Sequence, residues 1–393
     1  MPVRATKRGA ERTPLERDWD VVICGASFAG LTVARELRST GARVLLLDRY
    51  EIGERQTSAC AAPSEWLERL GLAGTIRQTF DSIVCHTPRG SARWPLPYQY
   101  ATFDYPQLCA ELWAESGGTA VFETAKVDGR SSGVARPGDI VVSTDRGDVT
   151  APLVVDALGW RRILSRSPEP IQPPKATLSR GLEVHPSGTG PDLEIWVDRS
   201  VVREGYGWSF PAGDELRIGI GSYDPEDHVK QATVNLSRAV GPEPEGYQGN
   251  WIPHRIRAGV EGEVFFVGDS AGHCIPLSAE GIRTAFYFGI ACGRELRAVL
   301  EGRQHRTQAL ARYGGFTADA AWKFEALLRW QQGIPRLPPA LLGRLNALTG
   351  RRRLAHWAFG HYRGIAPPEF AEPAPPAALG RGEAAPTPAR LAA

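Results

Sequence analysis

The chain has 393 residues, 42% of them hydrophobic and 23% charged, with a formal net charge of +2. This length exceeds one simple core and implies two intimately joined domains plus extensions, while the small net charge gives no reason to expect a nucleic-acid partner. The six cysteines (Cys24, Cys60, Cys85, Cys109, Cys274 and Cys292) form no CxxC pair, so no metal site is expected, and they suit reduced thiols in a cytoplasmic protein.

Residues 1–17 are charged and lack an apolar centre, which reads as a disordered arm and not a secretory signal. Asp20-Val-Val-Ile-Cys24 then reads as a buried strand, followed by the turn Gly25-Ala26-Ser27-Phe28-Ala29-Gly30 and a helical pattern to Leu37. A second strand ends at Asp48, beside Arg49. This is a βαβ unit of the dinucleotide-binding kind. Its glycines let backbone approach a pyrophosphate, the helix N-terminus attracts the charge, and the carboxylate binds ribose hydroxyls. Ser27 stands at the second glycine, small enough to keep that approach open.

Residues 64–70 predict a short helix with Ser64 as N-cap, after a loop over 50–63. Residues 83–90 and 92–97 predict a hairpin, and 104–115 a helix. Strands are expected at 121–128 and at 140–144, the latter pairing with 148–151. Residues 153–156 return as a central strand, with a tight turn from Asp156 to Gly159. From 165 to 255 short strands carry aromatic residues, at 176–185, 193–197, 205–211 and 215–223, and predict a sheet that walls a pocket. A helix over 228–240 interrupts them.

A strand at 264–267 runs into Gly268-Asp269, then small residues, Pro276, and Gly281-Ile282, which opens a helix to about 301. This order suits a flavin dinucleotide. Asp269 can accept a hydrogen bond from a ribityl hydroxyl, and the Gly281 helix start aims free N–H groups at the electron-rich end of the ring. Residues 305–365 are helical and basic. The Pro- and Ala-rich remainder, 366–393, has no core-forming pattern and is expected to be disordered. The FAD-binding domain is therefore discontinuous, over 18–70, 105–164 and 255–304, and the substrate domain takes 71–104 and 165–254.

Tyr206-Gly-Trp208-Ser-Phe210-Pro211, with Gly219-Ile-Gly221 beyond it, resembles the Y-x-W-x-F-P…G-x-G signature of the geranylgeranyl reductase family, within the flavoproteins shaped like para-hydroxybenzoate hydroxylase. The resemblance implies an α/β fold: a Rossmann-like FAD-binding domain with an inserted antiparallel β-sheet substrate domain and a C-terminal helical extension. It implies that Gly25, Ser27, Phe28, Ala29, Gly30, Asp48 and Arg49 hold the ADP half of FAD. Asp156, Gly159, Gly268, Asp269, Pro276, Gly281 and Ile282 are then assigned to the rest of the cofactor, and Tyr206, Trp208 and Phe210 to the substrate wall. Cys60 is a candidate to relay a proton or sense redox state beside the flavin, and His273 a candidate proton donor. Two departures stand out. Leu158 replaces the second acid of the hydroxylases' D-x-D-G turn. Tyr100 lies near where relatives place an arginine, for which Arg49 or Arg35 can substitute.

The expected activity is reduction of C=C bonds in a hydrophobic, isoprenoid substrate, with electrons from an external donor: NAD(P)H, a reductase or a ferredoxin. The rivals are a flavin-dependent monooxygenase or halogenase acting on a secondary metabolite, and a non-catalytic flavin- or lipid-binding protein. The segment 337–359 is both basic and apolar. It reads first as a helical cap over the FAD domain and second as a peripheral membrane contact.

Overall fold

The computed structural model describes residues 13–56, 58–118, 120–167, 178–241 and 243–372. Among these, the helices are α1 (Phe28–Glu36), α2 (Ser64–Arg69), α3 (Tyr105–Ala114), α4 (Lys230–Val240), α5 (Ile282–Leu300), α6 (Arg306–Gly333), α7 (Pro339–Thr349) and α8 (Arg352–Arg363).

The strand Val21–Cys24 lies between Leu153–Asp156 and Val44–Asp48, parallel to both. Val264–Phe266 adds on one side and Ala120–Thr124 on the other. The first strand is an unbroken apolar run because both of its faces are covered. Val21 and Ile23 pack with Leu31, Phe286 and Ile290 of α1 and α5. Val22 and Cys24 face Val142, Val149 and Ala151 of a three-stranded antiparallel sheet below. The expected single strand over 121–128 is two, Ala120–Thr124 in the parallel sheet and Val127–Ser131 in the small one.

The second large sheet has eight strands and begins with Ala61–Pro63, inside the segment expected to be a loop. It is antiparallel except where Leu193–Trp196 runs parallel to Ile76–Thr87. The long hairpin Ile76–Thr87/Gly90–Phe103 lies next to the edge strand Ala61–Pro63, and Leu178–Val184 and Gln248–Pro253 lie at the far side. At its centre, Tyr206 lies across from Gly221 and Trp208 across from Gly219. This register explains the spacing of the aromatic signature. The Trp208 indole lies over Gly219, where an added Cβ would overlap the ring and sit 2.8 Å from the Leu182 carbonyl oxygen. The glycine makes room for the tryptophan across the strand pair.

Several local expectations are corrected. Ser64 is the first residue of α2 and not its cap, because Pro63 precedes it and no side chain caps that end. Asp104 does cap α3, accepting from the Gln107 N–H at 2.9 Å. Residues 13–17, assigned to a disordered arm, pair with the small sheet: the Leu15 N–H donates to the Arg146 carbonyl at 3.0 Å. Residues 366–372, assigned to a disordered tail, are packed. The Ala366 carbonyl accepts from the Trp66 indole at 3.1 Å, and Phe370 stacks on Phe316. The rest of the expected arm and tail lies outside the described residues. The C-terminal cap is divided: α6 packs on α5, whereas α7 and α8 lie against the hairpin of the eight-stranded sheet. No described helix is long and apolar enough to cross a membrane.

Candidate active site

The two sheets and the C-terminal helices enclose one continuous cleft of about 950 Å³. Its floor is the first βα turn. Gly25 adopts φ +111°, and an added Cβ there would overlap the Ala157 carbonyl. A Cβ at Gly30 would overlap the Gly25 carbonyl. These two glycines are therefore obligatory for the turn itself. Ser27, Phe28 and Ala29 face the cleft from the start of α1, whose first turn has no acidic residue and no side-chain cap. The Ser27 hydroxyl lies 3.2 Å from the Tyr105 hydroxyl, so α3 braces the turn from behind. Asp48 faces the same space and accepts from the backbone N–H of Ala26 at 2.8 Å and of Tyr50 at 3.1 Å. Burial nonetheless pushes its carboxyl up.

At the far end of this floor, Gly268 adopts φ +65°, and a Cβ there would sit 3.0 Å from the Ala29 methyl. Asp269 lines the cleft; burial pushes its carboxyl up to about 6 against the opposing pull of the Arg257 charge. A cleft-facing acid of this kind can accept a hydrogen bond from a ligand hydroxyl. Gly281 and Ile282 also line the cleft, and α5 starts there without a side-chain cap. Two helix N-termini, two strand-end carboxylates and a glycine-lined floor thus open into one space. That donor and acceptor set fits a dinucleotide with a pyrophosphate and a polyol linker.

The opposite wall carries Tyr206, Trp208 and Phe210, all lining the cleft. The Tyr206 hydroxyl donates to the Ser278 carbonyl at 2.5 Å, and the Trp208 indole N–H to the Glu183 carboxylate at 2.7 Å. Each ring is fixed by its polar end, leaving its face to the cavity.

Six sequence candidates do not line the cleft: Gly25 and Gly30, which shape the turn beneath it, and Asp156, Cys60, His273 and Pro276. Asp156 is fully buried; it accepts from the N–H groups of Leu158 and Leu164 at 3.0 and 2.8 Å and from the Ser270 hydroxyl at 2.6 Å. It clamps two turns together, while Gly159 alone reaches the cavity. Cys60 is fully buried, with φ +50° turning its thiol away from the cleft, so Ala59 and Ala61 line it instead. Burial pushes the thiol far above its ordinary value, opposite to what a proton relay requires. His273 is fully buried and stacks on Phe288 at 3.7 Å, and burial holds its imidazole well below the ordinary range. It is neutral and away from the cavity. Pro276 is buried behind the cleft. Of the two candidate arginines, Arg49 lines the cavity, whereas Arg35 is 9% exposed and turns to Glu36 and Glu115. Arg55, not anticipated, also lines the cleft and hydrogen-bonds the Tyr50 hydroxyl.

The sequence reading also missed the ceiling. Tyr362 of α8 donates to Glu280 at 2.5 Å, and its hydroxyl lies 2.6 Å from that of Ser278. Arg283, fully buried, pairs with Glu280 at 2.8 Å and donates to the Tyr362 and Arg363 carbonyls. These bonds stitch α8 to the start of α5 directly over the cleft. Leu342 and Leu345 of α7 with Phe359 of α8 close the remaining side. Among the described residues no group of three or more His, Cys, Asp or Glu is arranged to hold a metal ion.

No family model matches the chain. Among curated proteins it is similar to digeranylgeranylglycerophospholipid reductase 3 of Methanosphaera stadtmanae, 24% identical over 332 residues that cover 76% of this chain and 82% of that protein. Among solved structures it is similar to a geranylgeranyl bacteriochlorophyll reductase-like protein from Thermoplasma acidophilum, with a TM-score of 0.77 and 16% identity, covering 90% of this chain and 98% of that one. It is also similar to a probable FAD-dependent monooxygenase from Pseudomonas aeruginosa, with a TM-score of 0.63 and 16% identity, covering 85% and 99%. The α/β fold expected from the motifs is thus the fold of these solved structures, and the chain is similar in sequence to curated proteins named as geranylgeranyl-type reductases.

Proposed function

We propose that this protein is an FAD-dependent oxidoreductase that reduces C=C bonds of a hydrophobic, isoprenoid substrate, using electrons from an external donor such as NAD(P)H, a reductase or a ferredoxin. The observation that carries the reading is the single cleft joining a dinucleotide-shaped floor to an aromatic wall and an aliphatic far end. A cleft of this shape holds a cofactor and a greasy chain side by side. The names of the curated relatives support the same class of substrate.

Bound FAD supplies hydride when reduced. The chain's own residues do the rest. The α1 N-terminus binds the pyrophosphate, Asp48 the ribose, Asp269 the ribityl chain, and Arg49 or Arg55 the adjoining charge. Tyr206, Trp208 and Phe210, which line the cleft, would orient the alkene and stabilise positive charge that develops on it by cation–π attraction. The ceiling formed by Tyr362, Phe359 and Leu345 excludes water during the addition.

The face above the cleft also supports contact with an anionic membrane. Trp330 and Trp357 are 59% and 62% exposed, Leu341, Leu348 and Leu354 are exposed beside them, and no acidic residue occurs between Glu325 and Glu369 while seven arginines do.

Purified protein that binds FAD, accepts electrons without oxygen and adds hydrogen to a prenyl lipid, read by product mass, bears the proposal out. Product formed only when oxygen or halide is added assigns the site to monooxygenase or halogenase chemistry instead.

A further inference from the structure

A second, polar cavity of about 410 Å³ lies on the same face of the sheet as the aromatic wall, beyond Phe210 along the strands, lined by Gln56, Arg77, Asp104, His185, Glu215 and Arg217 among others. Tyr105 lines both cavities, and a hydrogen-bonded pair also joins them. His185 lines the outer cavity and its Nε2 lies 2.6 Å from the Glu183 carboxylate, which lines the inner one. Glu183 is 4% exposed and yet collects three donors: His185, the Trp208 indole, and Gln248 at 3.2 Å. On the outer side, the His185 Nδ1 lies 3.4 Å from Glu215, which Arg217 holds at 2.8 Å.

Resting on the reductase reading above, we infer that Glu183 is the proton donor to the substrate and that His185 carries replacement protons to it from the outer cavity. Reducing one C=C bond consumes one hydride equivalent, from the electron donor already proposed, and one proton. The His185 Nε2–H bond breaks as an O–H bond forms on the Glu183 carboxylate, and that O–H bond breaks in turn as the new C–H bond forms on the alkene carbon opposite the one receiving hydride. Water in the outer cavity reprotonates the imidazole, and Glu183 ends as the carboxylate it began. Glu183 also orients Trp208, so the proton source and the aromatic wall share one anchor.

Of the groups facing His185, Glu183 and Glu215 favour a stored proton, whereas the Arg217 charge opposes it; Gln248, on the strand Gln248–Pro253, also touches the ring, and the Glu245 carbonyl accepts from the His185 backbone N–H. Burial opposes the charge, but the hydrogen bonds to Glu183 and Glu215 outweigh it and raise the imidazole to about 9. His185 therefore remains an imidazolium at neutral pH.

The test uses the full chain and two readouts. In ¹⁵N-labelled protein without added cofactor, His185 titrates well above its ordinary value of 6.5, and Glu183→Gln lowers that midpoint by about one pH unit or more. In anaerobic turnover with a prenyl lipid, Glu183→Gln slows product formation roughly 10²-fold. Glu183→Asp restores part of the rate, and His185→Gln removes the loss of rate above about pH 9. A His185 midpoint near 6.5 that ignores Glu183, or turnover that Glu183→Gln leaves unchanged, overturns the relay alone. Wild-type protein that reduces no prenyl lipid overturns the reductase reading, and the relay with it.

Discussion

The floor and the wall of the cleft are built on opposite principles. On the floor the working groups are main-chain atoms, and the sequence contributes by leaving side chains out: Gly25 and Gly30 admit no Cβ without overlap with backbone. On the wall the working groups are side chains, two of the three rings held by a hydrogen bond at the polar end: Tyr206 by Ser278 and Trp208 by Glu183. Backbone cannot move aside locally, whereas a ring can tilt. The two regions should therefore fail differently, the floor by losing fold and cofactor together and the wall by losing turnover with cofactor retained.

The sharpest contrast comes from alanine at two glycines. Gly30→Ala pushes a methyl into the Gly25 carbonyl and forces α1 off the strand. It should cost about 3 kcal/mol or more and abolish FAD binding, as read by thermal unfolding and by the visible spectrum. Gly219→Ala meets the Trp208 indole and the Leu182 carbonyl instead. It should cost about 1–2 kcal/mol, leave FAD bound, and reduce kcat roughly tenfold or more by displacing the ring. If Gly219→Ala released the cofactor as well, the distinction between floor and wall would not hold.

A smaller effect separates stability from binding on the floor itself. The Asp269 carboxyl is raised from 3.8 to about 6 by burial. The folded chain thus binds this proton more tightly than the unfolded chain does. Its contribution to stability is full below about pH 4 and is lost as the pH rises through 6. Asp269→Asn should therefore make the cofactor-free protein more stable at pH 7, by about 1–2 kcal/mol, with little change at pH 4, while weakening FAD affinity. Thermal unfolding at the two pH values with a flavin titration checks both signs, and a variant less stable at pH 7 would show that the attraction of Arg257 outweighs burial.

The smallest expected effect lies outside both regions. Replacing exposed Trp330 and Trp357 by serine should lower binding to anionic vesicles several-fold in a co-sedimentation assay and leave the unfolding temperature within about 1–2 °C, since both rings are largely in water. Equal binding by wild type and variant would remove the membrane from the reading of this face.

The floor was legible in the sequence because its determinants are local. A strand, a glycine turn and a helix follow one another within 21–36, and the chain has little choice about how they fold. The wall was legible in part, since alternation placed Tyr206, Trp208 and Phe210 on one face, and the G-x-G spacing marked the strand on which Trp208 lies. What the sequence could not separate is Asp48 from Asp156. Both end central parallel strands, and they differ in whether distant groups close over them; Ser270, 114 positions away, closes over Asp156. Cys60 was misread because a loop residue's direction depends on its φ, here +50°. Glu183 and Glu280 carry no local signature at all. They are single acids whose partners, Trp208 and Tyr362, arrive from 25 and 82 residues away.

The stitching of α8 to α5 through Glu280, Arg283 and Tyr362 has a consequence for biosynthesis. Both supports of the coenzyme leave the ribosome well before the helices that roof them, and domains tend to fold in the order of synthesis. The nascent chain therefore passes through a stage with an open trough. A bulky dinucleotide can settle there without having to pry apart a finished enclosure.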